Sequence, residues 1–214
     1  GKRRGRHYPN FFPGGRGYKS RSFPQSPIMF IGHNFDTDVG FYKSVERGAE
    51  DHQRMKTWIN LKESFLPAAR VAEDECFFTN FYLGAIVHPE PKPGDKKKTS
   101  NTGKFKCTQQ YHHACVAALR SQVMIVRPKV IALLGSKVPL AFGEAFPEYS
   151  LHSYGDIAEI QSRQPSMGHR LQLLPDLTVQ VIALVHPANP RSHESHRAQG
   201  HLLRTAVQAT SSTG

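Results

Sequence analysis

Hydrophobic and polar positions follow two rhythms along this chain. Four short apolar runs, at 28–31, 76–83, 130–134 and 178–185, are dominated by branched or aromatic residues. Runs of that length and character read as strands buried on both faces. Between them apolar residues return every three or four positions, the helical period. Met55, Trp58 and Ile59 mark such a face within 48–63, and Tyr111, Cys115, Leu119, Val123 and Val126 mark a second, which Pro128 stops. Gly135-Ser136 opens a third helix reaching about Phe146, and Leu202, Leu203 and Val207 belong to a fourth at 194–208. Alternating strands and helices predict an α/β fold, a three-layer α/β/α domain around a central, mostly parallel four-stranded sheet with right-handed crossovers. The stretch 149–176 is punctuated by Gly, Pro and Ser and predicts no regular element.

A chain of 214 residues suits one well-buried domain. That domain is expected at 28–209, after a basic, Gly/Pro-rich, loosely ordered tail at 1–27 and before a short tail at 210–214. A Lys-rich loop at 88–106 interrupts it. There are 28 Lys plus Arg against 17 Asp plus Glu, a net charge of +11. The position of the excess matters more than its size. Residues 1–22 hold seven cations and no acid, and 92–106 holds six, among them Lys96, Lys97 and Lys98, against Asp95 alone; the rest of the chain is close to neutral. Cations gathered in a tail and a loop without apolar period fit the phosphate backbone of a nucleic acid, while a solvated run that serves only solubility is the bland alternative.

Cys76, Cys107 and Cys115 form no CxxC pair and are odd in number, which argues against a disulfide framework or a four-thiolate metal site. A reducing compartment is expected, cytoplasmic or nucleoid-associated. No apolar run reaches membrane-spanning length, so no membrane partner is expected, and a monomer is.

In parallel sheets the ligand crevice lies beyond the carboxyl ends of the strands. Three of the apolar runs end in polar clusters: Gly32-His33-Asn34, Thr79-Asn80, and His186-Pro187-Ala188-Asn189-Pro190. Each alone is weak, since a glycine after a strand often serves only a tight turn and a strand-end histidine is more often structural. Their order on three strand ends resembles the uracil-DNA glycosylase superfamily, over about 28–203. In that family a first-strand motif of the type G-x-D-P or G-x-N-P positions the hydrolytic water, an Asn closing a second strand reads the base, and a last strand leads into an H-P-S-type loop. The helix–strand unit around Arg127-Pro128-Lys129-Val130 is similar to one in the iron–sulfur branch, but the cysteines of that branch are absent, so no cofactor is expected.

The resemblance implies a DNA-repair glycosylase that hydrolyses the N-glycosidic bond of uracil or a related deaminated base flipped out of single- or double-stranded DNA. Asn34 and His186 become the expected catalytic residues, Asn34 orienting water and His186 bonding the base carbonyl. Gly32, His33, Asn80 and Phe41 are the expected substrate contacts, Phe41 (or Phe35) stacking on the base. An asparagine offers both an acceptor and donors, so Asn80 can match a carbonyl and an imide N–H together. Ser136, Pro187, Arg191, Ser192 and Lys96, Lys97 and Lys98 are expected at the DNA. The chain departs from the pattern in three places. Asn34 stands where the most active members have Asp, Asp36 where the most uracil-selective have Tyr, and Arg191 where an intercalating Leu is usual. Asp36 and Asp38 lie near enough in sequence to compensate for the first.

Those departures keep a non-catalytic DNA-binding relative of the same fold as the alternative, and a hydrolase of small nucleosides as a third reading. A metal site from His186, His193, His196 and His201 is disfavoured, since their spacing matches no zinc motif.

Overall fold

The computed structural model describes residues 26–34, 56–83, 107–147, 169–189 and 192–211. Within them β1 (Ile28–Asn34), β2 (Cys76–Tyr82), β3 (Val130–Leu134), β4 (His169–Leu174) and β5 (Leu177–Leu184) form one sheet in the order β2-β1-β3-β5-β4. β1 pairs with β2 and with β3, and β3 with β5, all in parallel; β4 alone is antiparallel, against β5. The sheet therefore has five strands, not the expected four. β4 escaped because it is an edge strand: His169, Arg170 and Gln172 alternate with Leu171 and Leu173, only Leu173 is buried, and the strand lies in a Gly/Pro-punctuated stretch. Pro175-Asp176, turn residues by their fixed φ and side-chain acceptor, return the chain into β5.

Both faces of the sheet are covered, which is why the strands read as unbroken apolar runs. On one face Met29, Ile31, Phe77, Ile131, Leu133 and Val181 pack under α2 (Gln109–Val126) and α3 (Val138–Ala145). On the other, Ile28, Phe30, Phe78, Ala132, Ile182 and Leu184 pack under α1 and α4 (His193–Ser211). α1 comprises Lys56–Asn60, a π-helical turn Leu61–Phe65 and Leu66–Ala69. Its π turn follows from Pro67, which has no N–H to donate to Glu63 and whose ring crowds that carbonyl; the Leu66 N–H reaches back five residues to Leu61 O instead. The buried face of α1 is Trp58, Leu61, Phe65 and Leu66, with Ile59 half-buried and Met55 outside the described residues. α2 ends as expected before Pro128, at Arg127 in the left-handed region (φ 49°). α4 continues through Ser211, past the expected end at 208.

The last two residues of the expected tail are docked. Ser26 is buried, and Pro27 O accepts the N–H groups of Lys129 and Val130 at 2.9 and 3.0 Å. Residues 1–25, the loop at 88–106 and the start of the first expected helix, 48–55, lie outside the described residues.

α1 and α4 cross closely at Gly200. A Cβ there would lie 2.7 Å from Ala68 Cβ and would collide with the carbonyl of Phe65. Replacing a helical glycine by alanine ordinarily stabilises by up to about 1 kcal/mol, but here backbone would have to move. Gly200→Ala is expected to lose about 1–3 kcal/mol net, seen as a lowered urea midpoint with an unchanged slope.

Candidate active site

Four strands that run the same way end along one edge of the sheet. The chain moves outward from β1 to β2 and then returns to the other side of β1 as β3, so the order reverses at β1. Such a reversal is where α/β sheets bind ligands. The three polar clusters singled out in the sequence all lie at this edge.

The first strand runs past its expected end at Ile31, and Gly32, His33 and Asn34 are the last residues of β1. They stay extended because parallel pairing continues, Gly32 opposite Asn80 and Asn34 opposite Tyr82. The glycine that makes the tight turn is Gly135, after β3, with φ at +90°. Its N–H donates to Leu184 O at 2.8 Å, and a Cβ on it would stand 3.1 Å from His186 Cβ. Gly135 thus draws the end of β3 against the residue that follows β5.

Asn80 continues the register of Phe78, whose side chain lies on the α1/α4 face. Asn80 is 2% exposed, and its Oδ1 has no hydrogen-bond partner among the described residues. Leaving such an acceptor unmet in the interior costs about 1–3 kcal/mol.

His186 is held from three sides. The Ala188 N–H donates to its Nδ1 at 3.1 Å, and its carbonyl accepts from Asn189 N at 2.9 Å. Asn60, buried at the start of the π turn, donates to Pro187 O at 2.6 Å. Gln199 of α4 accepts the Val185 N–H at 3.1 Å. A nitrogen that accepts an N–H carries no proton, so the ring proton sits on Nε2 and His186 is a neutral donor there. Burial, and secondarily the neighbouring His33, lowers its pKa to about 4.

His33 bonds Asn34 Oδ1 through Nδ1 at 2.8 Å and meets the Tyr82 ring edge-on at 5.2 Å between centroids. Burial lowers its pKa, the Asn34 bond partly offsets that, and Lys137 at the start of α3 lowers it again. Tyr82 in turn bonds His112 Nδ1 at 3.1 Å, and His112 Nε2 contacts the Glu144 carboxylate. Burial, with Cys107 beside it, raises the Tyr82 phenol pKa, so it stays protonated.

Other expected site residues fall differently. Ser136 is exposed in the turn before α3, and the cap residue of that helix is Lys137, whose side chain does not cap it. Ser192 caps α4, its Oγ accepting the Ser195 N–H at 3.2 Å. Pro187 is buried and serves the loop through the bond from Asn60. His193 is taken by Ser64 Oγ at 3.1 Å, and His196 is buried beside the Phe65 ring; among the described residues no group of His, Cys, Asp and Glu is placed to hold a metal. Phe35, Asp36, Asp38, Phe41, Lys96, Lys97, Lys98 and Arg191 lie outside the described residues. A cavity of about 240 Å³ lined by Lys129, Arg170, Thr178, Gln180 and Thr210 belongs to the opposite, amino-terminal edge of the sheet and touches none of the three clusters.

Asn60, Gln199, Gly135 and Tyr82 were not foreseen as parts of the site. Asn60 carried a signal, a carboxamide inside an otherwise apolar helix face between Trp58 and Leu61.

The uracil DNA glycosylase superfamily model matches residues 20–208. The chain belongs to that superfamily. None of the curated proteins compared with it matches. Membership supports a DNA-glycosylase-like function with DNA as partner, and it places the three clusters in a superfamily whose members act on DNA. No helix among the described residues is long and apolar enough to cross a membrane.

The lowered pKa of His186 has a consequence for stability. In the unfolded chain a histidine titrates near 6.5, whereas the folded ring binds its proton only near 4. Between those values the unfolded state holds more protons, so stability falls as pH drops from about 6.5 to about 4. Urea midpoints over that range should show the fall, and His186→Gln should flatten it.

Proposed function

We propose that this protein is a DNA-repair glycosylase that hydrolyses the N-glycosidic bond of uracil, or of a related deaminated base, extruded from DNA. The observation that carries the reading is the meeting, at one sheet edge, of Gly32–Asn34, Asn80 and a His186 ring held neutral with its proton on Nε2.

Chemistry on a base in DNA requires the nucleotide to leave the stack and enter a pocket. Asn80 supplies the unmet acceptor that an imide N–H would satisfy, and its amide N–H group would bond the adjacent base carbonyl. A buried pair of this kind discriminates strongly, because the wrong edge leaves polar groups unpaired. As the glycosidic bond lengthens, negative charge grows on the base oxygens. The Nε2–H of His186, fixed beforehand by Ala188 and Gly135, donates to that charge at no cost of reorganisation. A neutral imidazole suits this task over a wide pH range. Asn34 orients the attacking water through its carbonyl, and Gly32 and His33 form the adjoining wall. Phe41 stacks on the base. Ser136, Arg191, Ser192 and Lys96, Lys97 and Lys98 contact phosphates, with the basic tail adding non-specific affinity. Work in the cytoplasm or at the nucleoid, as a monomer, accords with this task.

The second reading, a DNA-binding relative without turnover, is favoured by one observation: the first-strand residue is Asn34, an amide that cannot take a proton from water.

Base release decides between them. Single- and double-stranded oligonucleotides carrying uracil, hypoxanthine, xanthine or mismatched thymine are incubated with enzyme in excess. Release from at least one is expected, slowed about 10²–10³-fold by His186→Ala and shifted between bases by Asn80→Asp. DNA binding with no release from any substrate would establish the second reading.

A further inference from the structure

We propose that the cavity at the amino-terminal edge of the sheet is a phosphate-binding site, built by Lys129, Arg170 and Thr178 around Gln180. It lies apart from the candidate active site, and the inference stands without the glycosylase reading.

Strand pairing assembles it. Lys129 directly precedes β3, and its backbone is held on both sides. Its N–H donates to Pro27 O at 2.9 Å, and its carbonyl accepts the Gln180 N–H at 2.9 Å. Arg170 of β4 stands opposite Gln180 of β5. Residues opposite one another in an antiparallel pair point to the same face. Val179 and Val181 belong to the core under α2 and α3, so Thr178 and Gln180 turn to the α4 face, in line with Ile182 and Leu184. Gln180 is thus a buried amide, 5% exposed, where the rest of that row is apolar. Arg170 shares its face. The last turn of α4 closes this end, with Thr210 following Leu203 and Ala206 along the helix and lining the cavity with the four sheet-edge residues.

The lining selects the ligand. The cavity holds about 240 Å³, below the roughly 300–1,000 Å³ of pockets that enclose drug-sized molecules, so it suits a small ion with some of its water. Among the described residues no ion pair engages Lys129 or Arg170, and no acid lines the cavity. A cation is repelled there, and a neutral ligand leaves both charges uncompensated. An anion compensates them. Thr210 Oγ1 gives its proton to Val207 O at 2.8 Å, so the donors are the ammonium, the guanidinium and the Thr178 hydroxyl. A carboxylate presents two oxygens in one plane, which a guanidinium alone satisfies. A phosphate presents its oxygens tetrahedrally, so the guanidinium can take two and leave others for the ammonium and the hydroxyl. The carboxyl end of α4 opposes an anion, with roughly half a negative charge against two full positive ones. The cations prevail.

β5 is eight residues long, which at about 3.3 Å per residue separates its two ends by roughly 26 Å. A phosphate held here therefore does not belong to a nucleotide whose base lies among Asn80 and His186. It comes from a free phosphate compound or from a DNA strand passing elsewhere on the surface.

The test is a titration of the full chain followed by backbone amide NMR, at constant ionic strength set with chloride. Inorganic phosphate is added to about 20 mM, enough to fill a site with a Kd of about 1 mM. Saturable shifts are expected at the amides of Lys129, Arg170, Thr178 and Gln180, with acetate at least tenfold weaker. Lys129→Gln and Arg170→Gln should each raise the phosphate Kd at least tenfold. Parallel titrations with a deoxynucleoside 5′-monophosphate and with a uracil-free single-stranded oligonucleotide identify the source. Shifts of these amides by the oligonucleotide assign the phosphate to DNA, and shifts by phosphate and the mononucleotide alone assign it to a free compound. Absence of saturable shifts at these amides with all three, or shifts only in the basic tail and the 88–106 loop, would overturn the inference without any variant. Equal binding of acetate, or unchanged phosphate binding in both variants, would overturn it as well. None of these readouts depends on base release.

Discussion

The constraint on which everything else depends is parallel pairing. β1, β2, β3 and β5 share one direction, so their carboxyl ends must emerge along a single edge. Successive parallel strands must be joined by a crossover, and the connections from β1 to β2 and from β2 to β3 each return the chain through a helix. The helices after β1 and β2 go to opposite faces, and the order of the strands reverses at β1. Polar residues placed at those ends are brought near one another even when about 150 residues separate them, as with His33 and His186.

Convergence alone does not make a site rigid. The loop after β5 is fixed by bonds that are nearly all to backbone: Ala188 N–H to His186, Asn60 to Pro187 O, Gln199 to Val185 N–H. Backbone anchors hold the path of the loop whatever side chains occupy it. Gly135 contributes by its absence of a side chain, since a Cβ 3.1 Å from His186 Cβ would force the ring to move. The close crossing of α1 and α4 at Gly200 has the same logic one layer further out. Asn60 and Gln199 sit on those two helices, and the anchors keep their lengths only while the helices stay in register.

The polar edge is also where the fold gives up stability. Asn80 Oδ1 is buried with no partner among the described residues, and His33 and His186 are desolvated imidazoles whose proton affinity has been lowered. Apolar residues in these places would pack at less cost. Groups that a fold maintains against its own stability are the ones a ligand or a reaction has to complete.

Strand–helix alternation, four of the five strands and the three polar clusters were legible in the sequence because each is a local property. Period two or unbroken apolar runs, period 3.6 in helices, and Pro or Gly at the stops belong to a few neighbouring residues. The β1 motif was readable as a motif but not as extended strand, since only its pairing with Asn80 and Tyr82 keeps Gly32–Asn34 extended. β4 was hidden because an edge strand with one buried side chain leaves almost no apolar signal. The tautomer of His186, its partners on α1 and α4, and the joining of His33 to Asn34 and Tyr82 depend on which backbone groups arrive within about 3 Å across long sequence separations. Local chemistry therefore chose the residues, while only the folded chain decided the direction of each hydrogen bond and the depth to which each ring is stripped of water.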